Sequence, residues 1–203
     1  VLAVLAIQER RENPEEAFVR HLQAGDEEAF AELMRRYKDR VYNVLYRYVG
    51  NHEDALDLAQ EVFIRAFRGA AGFRGHASVY TWLYSIAENL GRNRLRDRRR
   101  KGRDKGRSLE ALEAEQPGRV SGLMNTENHP RTAAEAAELR HALEACLQKL
   151  PEPFRFTFVL RTFDGLGYDE IAEATNCPKG TVKSRLNQAR QRLHGCLQRE
   201  GVL

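Results

Sequence analysis

Hydrophobic residues in this chain return every three or four positions, and no segment keeps up a strand-like alternation. Phe30, Leu33, Tyr37, Val41, Val44 and Tyr48 form the clearest series. That spacing gathers the apolar side chains into one stripe only if the backbone is an α-helix; in a strand the same residues would be scattered over both faces. The chain is therefore predicted to be all-α.

Helix-breaking residues divide the pattern. Asn13-Pro14 reads as an N-cap and first helical residue, with Phe18 and Leu22 on the buried side. Gly25-Asp26 starts the long helix of the first series, and Gly50-Asn51 stops it. A third helix from about His52 to Phe67 buries Ala55, Leu58 or Ala59, Val62 and Ala66. The glycine-punctuated loop "GAAGFRGHA" follows, and Ser78 can cap a fourth helix with Trp82 or Leu83, Ile86 and Leu90 inside. From residue 103 to 131 periodicity is weak, with Pro117, Pro130 and several glycines, so the stretch reads as a flexible linker with a helical turn at "SLEALEAE". Helical spacing resumes at Glu135–Leu150, Pro153–Phe163, Tyr168–Thr175 and Gly180–Leu197. The expected organisation is an N-terminal extension (1–13), a helical domain (14–102), a linker (103–131) and a second helical domain (132–203).

Charge is distributed in blocks. The net charge is only +4, but residues 92–107 hold ten Lys/Arg against Asp97 and Asp104, a local net of +8. Such a tract favours an anionic partner. Three cysteines, Cys146, Cys177 and Cys196, form no CxxC pair and no even-numbered framework, which predicts thiols in a reducing cytoplasm. A zinc set of His141, Cys146, His194 and Cys196 is disfavoured, because helical spacings of five and two turn each neighbouring pair onto different faces. The apolar opening "VLAVLAI" is only seven residues long, too short to cross a bilayer. No phosphate-binding glycine loop, metal-spaced cluster or nucleophile elbow is visible, so neither an enzyme nor a cofactor is expected.

Three motifs carry functional information. In "LGYDEIAEATNCPKGTVKSRLNQARQRL" a short helix, a sharp turn at Asn176 and a second helix from Pro178 compose a helix-turn-helix. Val182, Leu186, Ala189 and Leu193 make its buried stripe. Lys183, Ser184, Asn187, Gln188 and Gln191 are left facing outward, and amide, hydroxyl and ammonium groups suit base edges and phosphates. In "HEDALDLAQEVFIRAF", Asp54, Asp57 and Glu61 form one acidic ridge opposite an apolar face. DNA would repel that ridge, so it points to a basic protein partner. In "FRGHASVYTWLYS", Phe73, Tyr80, Trp82 and Tyr84 surround a loop that precedes the arginine tract. Rings stack on unpaired bases while guanidinium groups hold phosphates, the pairing a single-stranded nucleic acid requires.

The order and spacing of "DALDLAQEVFIRAF", "FRGHASVYTWLYSIAENLGRNRLRDRRR" and "LPEPFRFTFVLRTFDGLGYDEIAEATNCPKGTVKSRLNQARQRL" resemble the small alternative bacterial sigma factors of the extracytoplasmic function (ECF) class. The resemblance implies two helical domains, sigma domain 2 and a helix-turn-helix sigma domain 4. It also implies partners: RNA polymerase core enzyme, through the β′ clamp helices and β, promoter DNA, and an anti-sigma factor. Asp54, Asp57, Gln60 and Glu61 are similar to the ridge that grips the clamp helices. Phe73, Arg74, His76 and Ser78 fall in the loop that captures a flipped base of the −10 element. Tyr80, Asn89, Asn93 and Arg96 lie along the helix that follows the melted strand. Thr181, Lys183, Ser184, Arg185, Asn187, Gln188 and Arg190 fall where the family reads the −35 element. A stand-alone helix-turn-helix regulator is the alternative, but it leaves the acidic ridge and the ring-and-arginine block unexplained.

Overall fold

A computed structural model describes residues 13–75, 77–104 and 133–202. Eight α-helices and one 3-10 turn (Ala70–Gly72) make up the regular structure, with no strand among the described residues. The helices are α1 (Pro14–Gln23), α2 (Glu27–Val49), α3 (His52–Gly69), α4 (Val79–Asp104), α5 (Ala133–Gln148), α6 (Glu152–Thr162), α7 (Tyr168–Ala174) and α8 (Lys179–Arg199). The all-α expectation holds. The expected N-terminal extension up to residue 12 and the turn at "SLEALEAE" lie outside the described residues.

The boundaries follow local chemistry. Asn13 and Asn51 each accept one backbone N–H of the first turn of α1 and α3, and Asp26 accepts two at the start of α2, so otherwise orphaned donors are satisfied at each start. The two backbone bonds to Asp26 hold its carboxyl below the usual carboxylate range. Gly50 ends α2 at φ +73, a left-handed turn that a β-carbon would penalise. Ser78 Oγ accepts the Thr81 N–H and so caps α4.

In the first domain α2, α3 and α4 pack through the predicted stripes. Leu33, Val41, Val44 and Tyr48 meet Ala55, Leu58, Val62 and Ala66, and Val79, Leu83, Ala87 and Leu90 close the core. Alanines on α3 let its backbone approach closely. Gly91 does the same on α4, where a β-carbon would stand 2.6 Å from the Tyr48 ring. The second domain packs Leu147, Phe156, Val159, Leu160 and Ile171 around Val182, Leu186, Ala189 and Leu193 of α8.

The cysteine expectation is corrected. Cys146 of α5 and Cys196 of α8 are joined by a disulfide, and Cys177 is the free cysteine. The bond closes over a sequence separation of 50 residues. Comparing faces within sequence-near pairs could not detect it, because the contact arises from how α5 lies on α8. The sulfurs are bonded to each other. Among the described residues, the third potential ligand beside them is Glu200, which Lys149 pairs at 3.0 Å, and neither His141 nor His194.

Candidate functional site

α3 carries the acidic ridge, and the structure divides it. Asp57 and Gln60 are exposed and Glu61 half-buried, pairing Arg65 at 2.7 Å one turn along. Asp54 instead turns toward α4, where Arg94 holds it in an ion pair and Arg98 lies at 3.6 Å. Its carboxylate is already neutralised inside the domain. The sequence pattern missed this because the partners lie 40 and more residues away. It also missed the apolar half of the face. Leu56, Ile64 and Phe67 are each more than 40% exposed although they lie on a well-packed helix, and Met34 of α2 is exposed to a similar degree. Their positions fall off the core stripe of Ala55, Leu58, Val62 and Ala66, and that displacement was the available signal. An open groove of about 470 Å³ runs between α3 and α4, lined by Asp57, Gln60, Glu61 and Ile64 on one wall and Asn93 and Asp97 on the other.

The ring-bearing stretch is more buried than its sequence implies. Phe73 is 7% exposed and its ring stacks on Trp82 at 4.6 Å. Tyr84 is fully buried. Gln23 of α1 donates to the Phe73 carbonyl at 2.6 Å, so α1 fixes the loop backbone from below. Arg74 is exposed, Ser78 is half-buried beneath its cap, and His76 lies outside the described residues. Tyr80 remains half-exposed, with the Arg40 guanidinium over its ring at 5.8 Å. Asn89, Asn93 and Arg96 are exposed farther along α4. Nine helical residues separate Tyr80 from Asn89, a rotation of about 180° at 3.6 residues per turn. The −10 candidates therefore occupy two sides of α4: Tyr80 faces α2, and Asn93 faces the α3 groove.

The helix-turn-helix forms as the spacing predicts. Glu170 accepts the Gly167 N–H at 2.6 Å and anchors the start of α7. Asn176 adopts φ 45 in the turn, a left-handed conformation that asparagine tolerates. α8 then buries Val182, Leu186 and Ala189, while Lys183, Ser184, Asn187, Gln188 and Arg190 are exposed. Thr181 and Arg185 are half-buried, and one Arg185 nitrogen lies 3.5 Å from the Cys177 sulfur.

Residues 33–101 match the Sigma-70 region 2 family and residues 140–193 match Sigma-70 region 4. The ECF RNA polymerase sigma-E factor of Escherichia coli is 37% identical over 184 residues, spanning 91% of this chain and 94% of that protein. The chain belongs to the ECF class of sigma factors. The RNA polymerase sigma-H factor of Pseudomonas aeruginosa is similar at 35% identity over the same shares. The fold recurs in CnrH, solved in complex with the cytosolic domain of CnrY, with a TM-score of 0.66, 20% identity, and coverage of 92% of this chain and 98% of that one. It recurs in the sigma factor RpoE of Bartonella quintana, solved with the anti-sigma factor NepR, at a TM-score of 0.62, 20% identity, and coverage of 83% and 96%.

As an ECF sigma factor the protein is an alternative sigma factor that directs RNA polymerase, and a stand-alone regulator is not favoured. Sigma factors are not enzymes. The ridge, the loop and the length of α4 through residue 101 lie inside the region 2 match, and the turn and exposed face of α8 lie inside the region 4 match. α1, which supports the loop through Gln23, precedes both. No helix among the described residues is long and apolar enough to cross a membrane.

Proposed function

We propose that this ECF sigma factor holds core polymerase through the outer face of α3, reads the −35 element with α8, and reads and opens the −10 element with the loop and α4. The observation carrying the first assignment is that α3 presents acids and uncovered apolar side chains on one face. Leu56, Ile64 and Phe67 supply area to bury, and Asp57, Gln60 and Glu61 supply complementarity to a basic surface such as the β′ clamp helices. Asp54 acts one step removed, keeping α4 against α3 through Arg94 and Arg98. On the DNA side, Lys183, Ser184, Asn187 and Gln188 read bases while Arg190 holds phosphate, with Thr181 and Arg185 at the entrance of the helix. Arg74, Ser78, Tyr80, Asn89, Asn93 and Arg96 meet the −10 strand. Phe73 shapes the loop from beneath.

This division of labour supports domain limits of 14–102 and 132–203 joined by the 103–131 linker. The protein works in the cytoplasm beside polymerase, without a cofactor and without catalysis of its own. An anti-sigma factor is the regulatory partner; the two solved relatives, each bound to another protein, support that reading. The test is the double charge reversal Asp57→Lys/Glu61→Lys. Like-charge juxtaposition at an interface costs several kcal/mol, so core polymerase binding should drop at least a hundredfold with the circular dichroism spectrum unchanged. Wild-type affinity in the double variant would defeat the assignment.

A further inference from the structure

Phe73, in the loop between α3 and α4, is fixed at three points. Its N–H donates to the Ala70 carbonyl at 3.0 Å, its ring stacks on Trp82 at 4.6 Å, and its carbonyl accepts from the Gln23 side-chain amide at 2.6 Å. The first two partners are near in sequence; the third comes from α1, 50 residues earlier. A trans peptide unit is planar, so holding the Phe73 carbonyl toward α1 also holds the Arg74 N–H on the opposite side. Arg74 and Gly75 beyond it are exposed, and Gly75, at φ +70, has no side chain to hold the turn in place. The bond from Gln23 therefore sets the plane from which the open tip of the loop departs.

Other groups hold α1 itself in place. Leu22 is buried at 1% exposure, the Arg36 guanidinium lies over the Phe18 ring at 4.7 Å, and His21 meets Asp26 at 3.0 Å across the turn into α2. Gln23 is the last residue of α1 and only half-buried, so its amide is not what docks the helix. Val19, one turn back, lies under the same tip: a β-carbon on Gly75 would stand 3.8 Å from it. α1 is thus a platform fastened to α2 on one side and presenting one hydrogen-bond donor to the loop on the other.

We propose that Gln23 is a positioning residue for base discrimination at the −10 element: it touches no DNA, but its hydrogen bond to the Phe73 carbonyl fixes the loop in the one arrangement that tells an extruded base from its competitors. Bases differ only in where their donors and acceptors stand, so the groups that read them must be held to within about 0.5 Å. A short exposed tip containing glycine does not meet that tolerance alone. An amide suits the task better than a charge, since it satisfies the carbonyl without adding a field that would attract the strand whatever its sequence. The role rests on the −10 reading of the loop given above; the hydrogen bond does not.

The test uses holoenzyme assembled from the full chain and core polymerase, on a promoter that the wild-type factor selects from a library randomised at −10. Templates premelted over the −10 element and differing in one unpaired base are transcribed, and the ratio of preferred to disfavoured base is read for each variant. Loss of folded protein scales every template alike, so the ratio reports positioning even where a variant is less stable. Gln23→Met keeps the shape without the donor, and Gln23→Glu sets a carboxylate against the carbonyl. Each should lower the ratio at one position about fivefold, the lower end of what a single base contributes. Gln23→Lys supplies a donor again and should restore most of it. Wild-type ratios in both donor-less variants would overturn the role of Gln23, as would a ratio that Gln23→Lys leaves as low as Gln23→Met does. Arg74→Ala and Gly75→Ala, the latter straining the loop at φ +70, separate the two claims. If either lowers the ratio while Gln23→Met does not, the loop reads its base without help from α1. If these and the Gln23 variants all keep the wild-type ratio, the −10 reading of the loop itself fails.

Discussion

α8 and the stretch from Phe73 to Tyr84 are both assigned to DNA, and they are built in opposite ways. α8 segregates its faces: Val182, Leu186 and Ala189 are buried, Lys183, Asn187 and Gln188 are exposed, and Cys196 ties its far end to α5. In the Phe73–Tyr84 stretch the same rings that mark it as a nucleic-acid surface also build the domain. Phe73 and Tyr84 are core, while Trp82, stacked on Phe73, and Tyr80, beneath Arg40, are half-buried. A helix with separated faces can change its reading residues without risk to its fold. A loop held by its own aromatics cannot, so substitutions there mix stability with function.

The largest effect should come from the covalent tie of α8. Reduction by a dithiol reagent, or Cys146→Ser with Cys196→Ser, releases a link closing a 50-residue separation. Chain entropy assigns such a loop about 4 kcal/mol. Thermal unfolding should show the second domain melting much earlier than in the oxidised wild type. A single unaltered transition would mean that packing on α5 holds α8 without the bond.

Phe73→Ala tests the other half of the comparison. Removal of a buried phenylalanine costs about 3 kcal/mol or more, and here it also deprives Trp82 of its stacking partner. The variant should lose thermal stability in the first domain and impair promoter opening together. A defect in opening with full stability would place Phe73 at a base after all.

The contrast also explains what the sequence could reveal. Periodicity locates every helix and the stripe of α8, because burial of a helical face is a local rule. It does not orient rings at 73, 80, 82 and 84, which fit no single stripe and straddle a loop. Nor does it expose contacts made at long range: the Cys146–Cys196 bond, the Arg94 and Arg98 partners of Asp54, or Gln23 beneath the loop. Arg155 is the sharpest case. Residues 155–160 of α6 are buried all round, so an arginine among them looks misplaced until the carbonyl end of α2 is seen waiting for a donor.

A smaller and purely functional effect is expected on α8. Gln188 is exposed and lies opposite the buried stripe, so Gln188→Ala should leave stability within about 0.5 kcal/mol. It should relax preference at one or two base pairs of the −35 element by about 1–3 kcal/mol if the contact is bidentate. Arg190→Ala should instead weaken binding across sequences and flatten its salt dependence. An unchanged base-preference profile in Gln188→Ala would remove Gln188 from the reading set.

The smallest effect belongs to Tyr80, a half-exposed ring that does not stack on Phe73. Its contact with Arg40 at 5.8 Å is worth about 0.5–1 kcal/mol at an exposed site, so Tyr80→Ala should unfold only slightly earlier than wild type. Stacking on a base is worth roughly 1–3 kcal/mol and exists only after the base has left the duplex. The half-buried ring should contribute near the lower end, about 1 kcal/mol. Tyr80→Ala should therefore bind core polymerase and duplex −35 DNA normally, yet open closed promoters several-fold more slowly, and a template already melted at the −10 element should restore most of the loss. Tyr80→Phe keeps the ring and should open promoters at the wild-type rate. If Tyr80→Ala also opens closed promoters at that rate, the ring is packing alone, and the whole Phe73–Tyr84 stretch acts as scaffold while Arg74, Asn89, Asn93 and Arg96 are left to meet the strand.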